Sequence, residues 1–206
     1  MTERIEPSRS ALLLFDFLEG HVNRDADSRA RYAAVVANAA HVLAAARKAS
    51  MLVAYANANH PAGGAGAART LRDTDNRLRP IAPGDTEAHR PLITGGTPEA
   101  RVIEALTPQA GDLVVPKQRW SAFHDTSLAT ALRGRGIDTL VLAGGSTDVG
   151  IAATAFAARD LDYNLVIVSD ACTSPEQDNH DQLMRRVFPR MSRVRTASQV
   201  AAMLGA

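Results

Sequence analysis

Four short and almost unbroken apolar runs constrain this chain more than any other feature. They cover residues 11–17 (ALLLFDF), 51–56 (MLVAYA), 139–143 (TLVLA) and 164–168 (NLVIV). None alternates apolar with polar, as a strand with one wet face would. They read instead as strands buried on both faces, the pattern of a parallel sheet. Parallel neighbours need crossover connections, and amphipathic stretches lie where those are required. Residues 28–49 carry apolar side chains every three to four positions and predict a long helix. Further helices are expected over 127–133, stopped by Gly134 and Gly136, and over 148–159 and 177–188. Weaker signals predict a strand at 112–115, an edge strand at 193–194 and a closing helix at 198–204. Thr97 with Pro98 and Glu99 reads as a helix start. Residues 57–96 look irregular, with a Gly-Ala patch at 63–68 and a short helix expected around 68–72. The fold class is therefore α/β: a three-layer α-β-α arrangement around a central, mostly parallel sheet of about six strands.

With 206 residues, a single domain over 1–206 is expected. The formal net charge of +1 gives no draw toward nucleic acid or an anionic membrane. One cysteine, Cys172, allows no intrachain disulfide, which fits a reducing compartment. The first ten residues are polar, unlike a signal peptide, and no apolar run approaches the roughly 20 residues of a membrane helix. A cytoplasmic protein acting on a small molecule is the expectation.

Ligands in such sheets bind outside the carboxyl ends of the strands. That rule singles out Asp16, residues 57–60, Lys117, residues 144–150 and residues 170–174. Asp16 ends an apolar strand, where partial desolvation suits a carboxylate to proton transfer, although a cap or turn role is the plainer alternative. Lysine is rarely buried without a partner. Lys117 is thus either paired with Asp16 or simply exposed at a strand end. Residues 143–150 (AGGSTDVG) join a strand to a helix. Their glycines permit close approach, and the N–H groups at the helix start can meet an anion or oxyanion. The spacing is not a dinucleotide fingerprint, and a tight turn with Asp148 as a first-turn acid is the alternative. Cys172 has no histidine or lysine close in sequence and reads as a buried structural thiol. No histidine pair has metal spacing, so neither a metal nor a cofactor is expected.

Several blocks in order resemble the isochorismatase-like (cysteine hydrolase) family, whose topology is Rossmann-like. They are residues 12–16 (LLLFD), 115–128 (VPKQRWSAFHDTSL), 138–150 (DTLVLAGGSTDVG), and 162–163 with 169–172 (DY and SDAC). The resemblance implies a triad of Asp16, Lys117 and a cysteine acting on amides, with backbone N–H groups holding the oxyanion. It also implies a non-proline cis peptide at Ser146–Thr147, and homodimers or homotetramers. Ser146, Thr147, Val149, His60, Trp120 and Phe123 become the candidate substrate-binding residues. Gly150 stands where the family has its cysteine. Leu18 replaces a common glutamine, and Ala58 stands where a metal-binding acid would precede His60. Glycine at position 150 resembles the true isochorismatases of secondary metabolism, which cleave a vinyl ether. There Asp16 would be the general acid and Lys117 its positioning partner, while Gly150 would open space and offer its N–H. Arg69, Arg72, Arg77, Arg79 and Arg90 are candidates for binding substrate carboxylates. An amide, imide or ester hydrolase using activated water, and a non-catalytic binding protein, are the alternatives.

Overall fold

The computed structural model describes residues 3–62, 70–72, 78–80 and 93–205. Its centre is β1 (Ser10–Phe15), buried at every position and paired on both sides. To one side lie β2 (Leu52–Ala58) and β5 (Leu113–Lys117). To the other lie β6 (Thr139–Gly145), β7 (Asn164–Thr173) and β8 (Arg193–Arg195). All pairings in this six-stranded sheet are parallel, in the order β5-β2-β1-β6-β7-β8. The chain builds outward from β1 and then returns to its other side as β6. The strand order therefore reverses between β1 and β6, which places a crevice at their carboxyl ends.

Alternation along β1 feeds two apolar layers. Leu12 and Leu14 face the layer formed with α2 (Ala26–Lys48) and α6 (Ala197–Met203). Ala11, Leu13 and Phe15 face the layer formed with α3 (Leu128–Arg133) and α4 (Ala152–Asp160). The Asp25 carboxylate caps α2 by accepting from Ser28 N–H at 2.7 Å, and Thr196 with Gln199 forms a capping box on α6. Among the described residues no helix is long and apolar enough to cross a membrane.

Several expected elements differ. Strands β2, β5 and β7 run past their apolar runs to Ala58, Lys117 and Thr173, because ladder pairing continues into the polar residues at the sheet's edge. Thr97 does not start a long helix: Pro98–Ala100 makes one 3-10 turn, and Arg101 is extended. The 148–159 helix begins as a wide π-type turn, Thr147–Ile151, before α4. The 177–188 helix is α5 (Gln177–Gln182), then a π-type turn at Leu183–Val187 and a 3-10 turn at Phe188–Arg190. The helix expected at 68–72 is overturned by a strand, β3 (Thr70–Arg72), which pairs antiparallel with β4 (Leu78–Pro80). Ladder bonds to β4 satisfy backbone groups that a single helical turn would leave open. The rest of that helix and the whole Gly-Ala patch lie outside the described residues.

Candidate active site

Three strand ends bring the site together. At the end of β1 the chain turns sharply, with Asp16 at φ +54°. Asp and Asn tolerate this region better than most residues. The turn presents the carboxylate toward β2 and β5. Asp16 Oδ1 accepts from Ala58 N–H at 2.7 Å, and Oδ2 accepts from Lys117 Nζ at 2.7 Å. Lys117 is the last residue of β5, two strands away, or about 10 Å at normal strand spacing. Its long side chain crosses the end of β2 to reach the acid. Asp16 is 7% exposed and Lys117 5%. Of the two sequence readings of Lys117, the structure shows the buried pair.

The Lys117 ammonium also lies over the Phe15 ring, 4.2 Å from its centroid. Phe15 in turn meets Gly150, in the turn after β6. A Cβ built on Gly150 would fall 2.6 Å from Phe15 Cζ and nearer still to Cε1. The expectation that Gly150 opens space is therefore corrected: the Phe15 ring, 1% exposed, already occupies that volume. Gly144 and Gly145 also answer to close approach. A Cβ on Gly144 would stand 2.8 Å from Phe15 Cβ, and one on Gly145 would stand 3.0 Å from Tyr32 Cζ.

The turn after β6 is tied down on its other side. Asp148 Oδ1 accepts from Ser146 Oγ and from Ser174 Oγ, the latter at 2.7 Å. Asp148 Oδ2 accepts from Asn179 Nδ2 at 2.9 Å. Thr147 Oγ1 and His180 Nδ1 are 2.9 Å apart, and Val149 N–H donates to Ser146 O at 3.3 Å. Burial works to raise the Asp148 carboxyl, but the three side-chain donors outweigh it and hold it below the usual range. The non-proline cis bond is Gly145–Ser146, one residue before the expected position.

Two histidines accompany the Asp16–Lys117 pair. His60, just after β2, is half-buried, and its buried Nδ1 has no hydrogen-bond partner among the described residues. Burial lowers it first. Lys117 and Arg119 add to that, and Asp16 opposes them. His21 lies in the short helix α1 (Glu19–Val22). Burial lowers it, Lys117 and Arg24 act in the same sense, and Asp16 opposes. His21 and Phe15 escaped the sequence reading. The first carries no motif spacing, and the second was absorbed into an apolar strand.

Trp120 is 66% exposed, and Phe123 stacks on Tyr163 at 5.7 Å. Cys172 is 3% exposed, and burial pushes its thiol up to about 12, in keeping with a structural role. Arg69, Arg77 and Arg90 lie outside the described residues, and only the backbone is described at Arg72 and Arg79.

The Isochorismatase domain family matches residues 10–199. The chain is 31% identical to the uncharacterized isochorismatase family protein YwoC of Bacillus subtilis, over 96% of this chain and 95% of that one. It is 34% identical to maleamate amidohydrolase of Pseudomonas putida, over 84% of this chain and 76% of that enzyme. A stretch of 96 residues is 41% identical to YecD of Escherichia coli O157:H7, covering 47% of this chain and 51% of that protein. The structure of an isochorismatase family protein from Burkholderia thailandensis superimposes with a TM-score of 0.80 at 30% identity, with both chains covered completely. With the family model matching residues 10–199 and a relative 31% identical over nearly its whole length, the chain belongs to the isochorismatase family of hydrolases.

Proposed function

We propose that this protein hydrolyses a small carboxylated metabolite at the Asp16–Lys117 pair, using bound water and no covalent intermediate. One observation carries the reading: a carboxylate and an ammonium are buried together at the carboxyl edge of the sheet, the ammonium over the same Phe15 ring that meets Gly150, which has no side chain to attack with. Both contacts to Asp16 come from donors, so both its oxygens act as acceptors. A carboxylate held this way is suited to taking a proton from water, whose oxygen adds to a carbonyl carbon; the adduct then breaks its C–N or C–O bond, and the leaving nitrogen or oxygen takes the proton back from Asp16. This favours an amide, imide or ester substrate with Asp16 as general base. The similarity to maleamate amidohydrolase points the same way. Lys117 holds Asp16 in place through its 2.7 Å contact and offers positive charge to the developing oxyanion. In this reading Ser146, Val149, His60, Trp120 and Phe123 line the substrate, while Thr147, expected to join them, is 0% exposed and instead anchors the turn to His180.

A second reading rests on Gly150 itself. Hydrolysis of an isochorismate-like vinyl ether needs a proton donor and water but no nucleophile. Asp16 would there act as general acid.

The test is a panel of carboxylated amides, imides and esters together with isochorismate, scored by release of ammonia, acid or pyruvate. Amide-type turnover that falls about 100-fold or more in Asp16→Asn is the expected result. Pyruvate release from isochorismate alone would select the second reading. Turnover that survives Asp16→Asn would reject both.

A further inference from the structure

We propose that Phe15 and Gly150 form one coupled volume, in which Phe15 bars any side chain from position 150 and steadies the Lys117 ammonium. The inference deepens the reading that position 150 supplies no nucleophile. Phe15 pairs in register with Gly144 across β1 and β6, so its ring lies directly under the turn that carries Gly150. The ring end occupies the place of a Cβ at position 150.

A phenyl ring end can swing aside only where there is room, and this ring is 1% exposed. It also carries the Lys117 ammonium 4.2 Å from its centroid, a cation–π contact with a desolvated cation. Lys117 is in turn fixed by Asp16 at 2.7 Å. Volume added at position 150 thus reaches the carboxylate through the ring and the ammonium. Phe15 touches the Lys117 head group with its face and fills the Cβ volume of position 150 with its ring end.

Leucine at position 15 separates these effects. It lacks the atoms corresponding to Cε1 and Cζ, which lie nearest the added Cβ. It keeps branch carbons near the site of Cδ1, which stands at 3.3 Å. The experiment compares the unmodified protein with Gly150→Ala, Gly150→Cys, Phe15→Leu and the two double variants. Each is followed by thermal unfolding and by iodoacetamide labelling of the native protein, read by intact mass. Cys172, buried with its thiol pushed up to about 12, is the silent internal reference.

With Phe15 in place, Gly150→Ala is expected to lower Tm by roughly 2–12 °C, as overpacking does in a domain of this size. Combined with Phe15→Leu, the same change should cost less than half as much. A cysteine at position 150 should label at least about tenfold faster in the Phe15→Leu double variant than beside the intact phenyl ring, because a packed thiol meets no reagent. An unchanged Tm in Gly150→Ala, strictly additive effects, or equal labelling rates would each overturn the coupling. No substrate enters these readouts. A failed hydrolysis assay leaves the coupling standing, and additive effects leave the role of Asp16 and Lys117 untouched.

Discussion

A buried ion pair is held in place by what each partner would lose alone. Asp16 and Lys117 are nearly out of water, and each supplies the other's charge. Removing one leaves an uncompensated buried charge, at a cost of about 3–5 kcal/mol. Lys117→Met is therefore expected to lower Tm by roughly 6–20 °C. Asp16→Asn strands the ammonium and should also destabilise, while keeping the positive φ and the acceptor for Ala58 N–H. The double variant Asp16→Asn/Lys117→Met should then be more stable than the sum of its parts, a sign that unpaired charge rather than lost packing dominates. Denaturant titration of the three variants checks this, and additive losses would contradict it. Both residues were legible because strand ends in parallel sheets carry ligands, so position alone singled them out. Phe15 was not legible. A phenylalanine that closes an apolar strand and one that fills a neighbouring glycine's Cβ volume look the same in one dimension. Only the register between β1 and β6 brings positions 15 and 150 together.

At the scale of elements, the apolar runs were readable because nearly all of their residues are buried, and β1 and β6, which fall on two of them, are buried at every position. The long helix α2 was readable from its period. The failures concern segments whose shape is set by contacts distant in sequence. The turn at Thr147–Ile151 is one of these. Asp148 hydrogen-bonds Ser174 and Asn179, some 26 and 31 positions further on, and Thr147 meets His180. These bonds tie the turn after β6 to the segment after β7, in place of the plain helix start that a Ser-Thr-Asp sequence predicts. Asp148→Ala is expected to cost about 1–3 kcal/mol, since Ser174 Oγ, in a residue 1% exposed, loses its acceptor. It should also reduce turnover in any assay that succeeds, because the turn carries Gly150. Thermal unfolding and steady-state rates of Asp148→Ala and Asp148→Asn decide the matter. Loss of stability with a fully preserved rate would show that the tie does not reach the site.

Across the whole molecule, the carboxyl edge of the sheet collects three histidines that prefer to be neutral. His21 follows β1, His60 follows β2 and His180 follows β7. Burial is the largest cause in each case and holds all three below the ordinary value of 6.5. Lys117 and a nearby arginine reinforce it at His21 and His60 while Asp16 opposes. Asp181 and Asp148 oppose it at His180. Between the folded and unfolded values the unfolded chain binds more protons, so stability rises with pH there. The contribution is complete above pH 6.5 or so and is lost as pH falls through the lower folded values. It is separate from the acid loss caused by the depressed carboxylates Glu3, Asp138 and Asp148, which belongs below about pH 4. Melting curves from pH 8 to pH 5 should therefore show Tm falling before any carboxylate titrates. Replacing His21, His60 and His180 together by glutamine should flatten that fall while leaving the steeper loss below about pH 4 in place. A Tm that holds level down to pH 5 in the unmodified protein, or a slope that the triple variant keeps, would mean that the histidines at this edge gain their protons without cost to the fold.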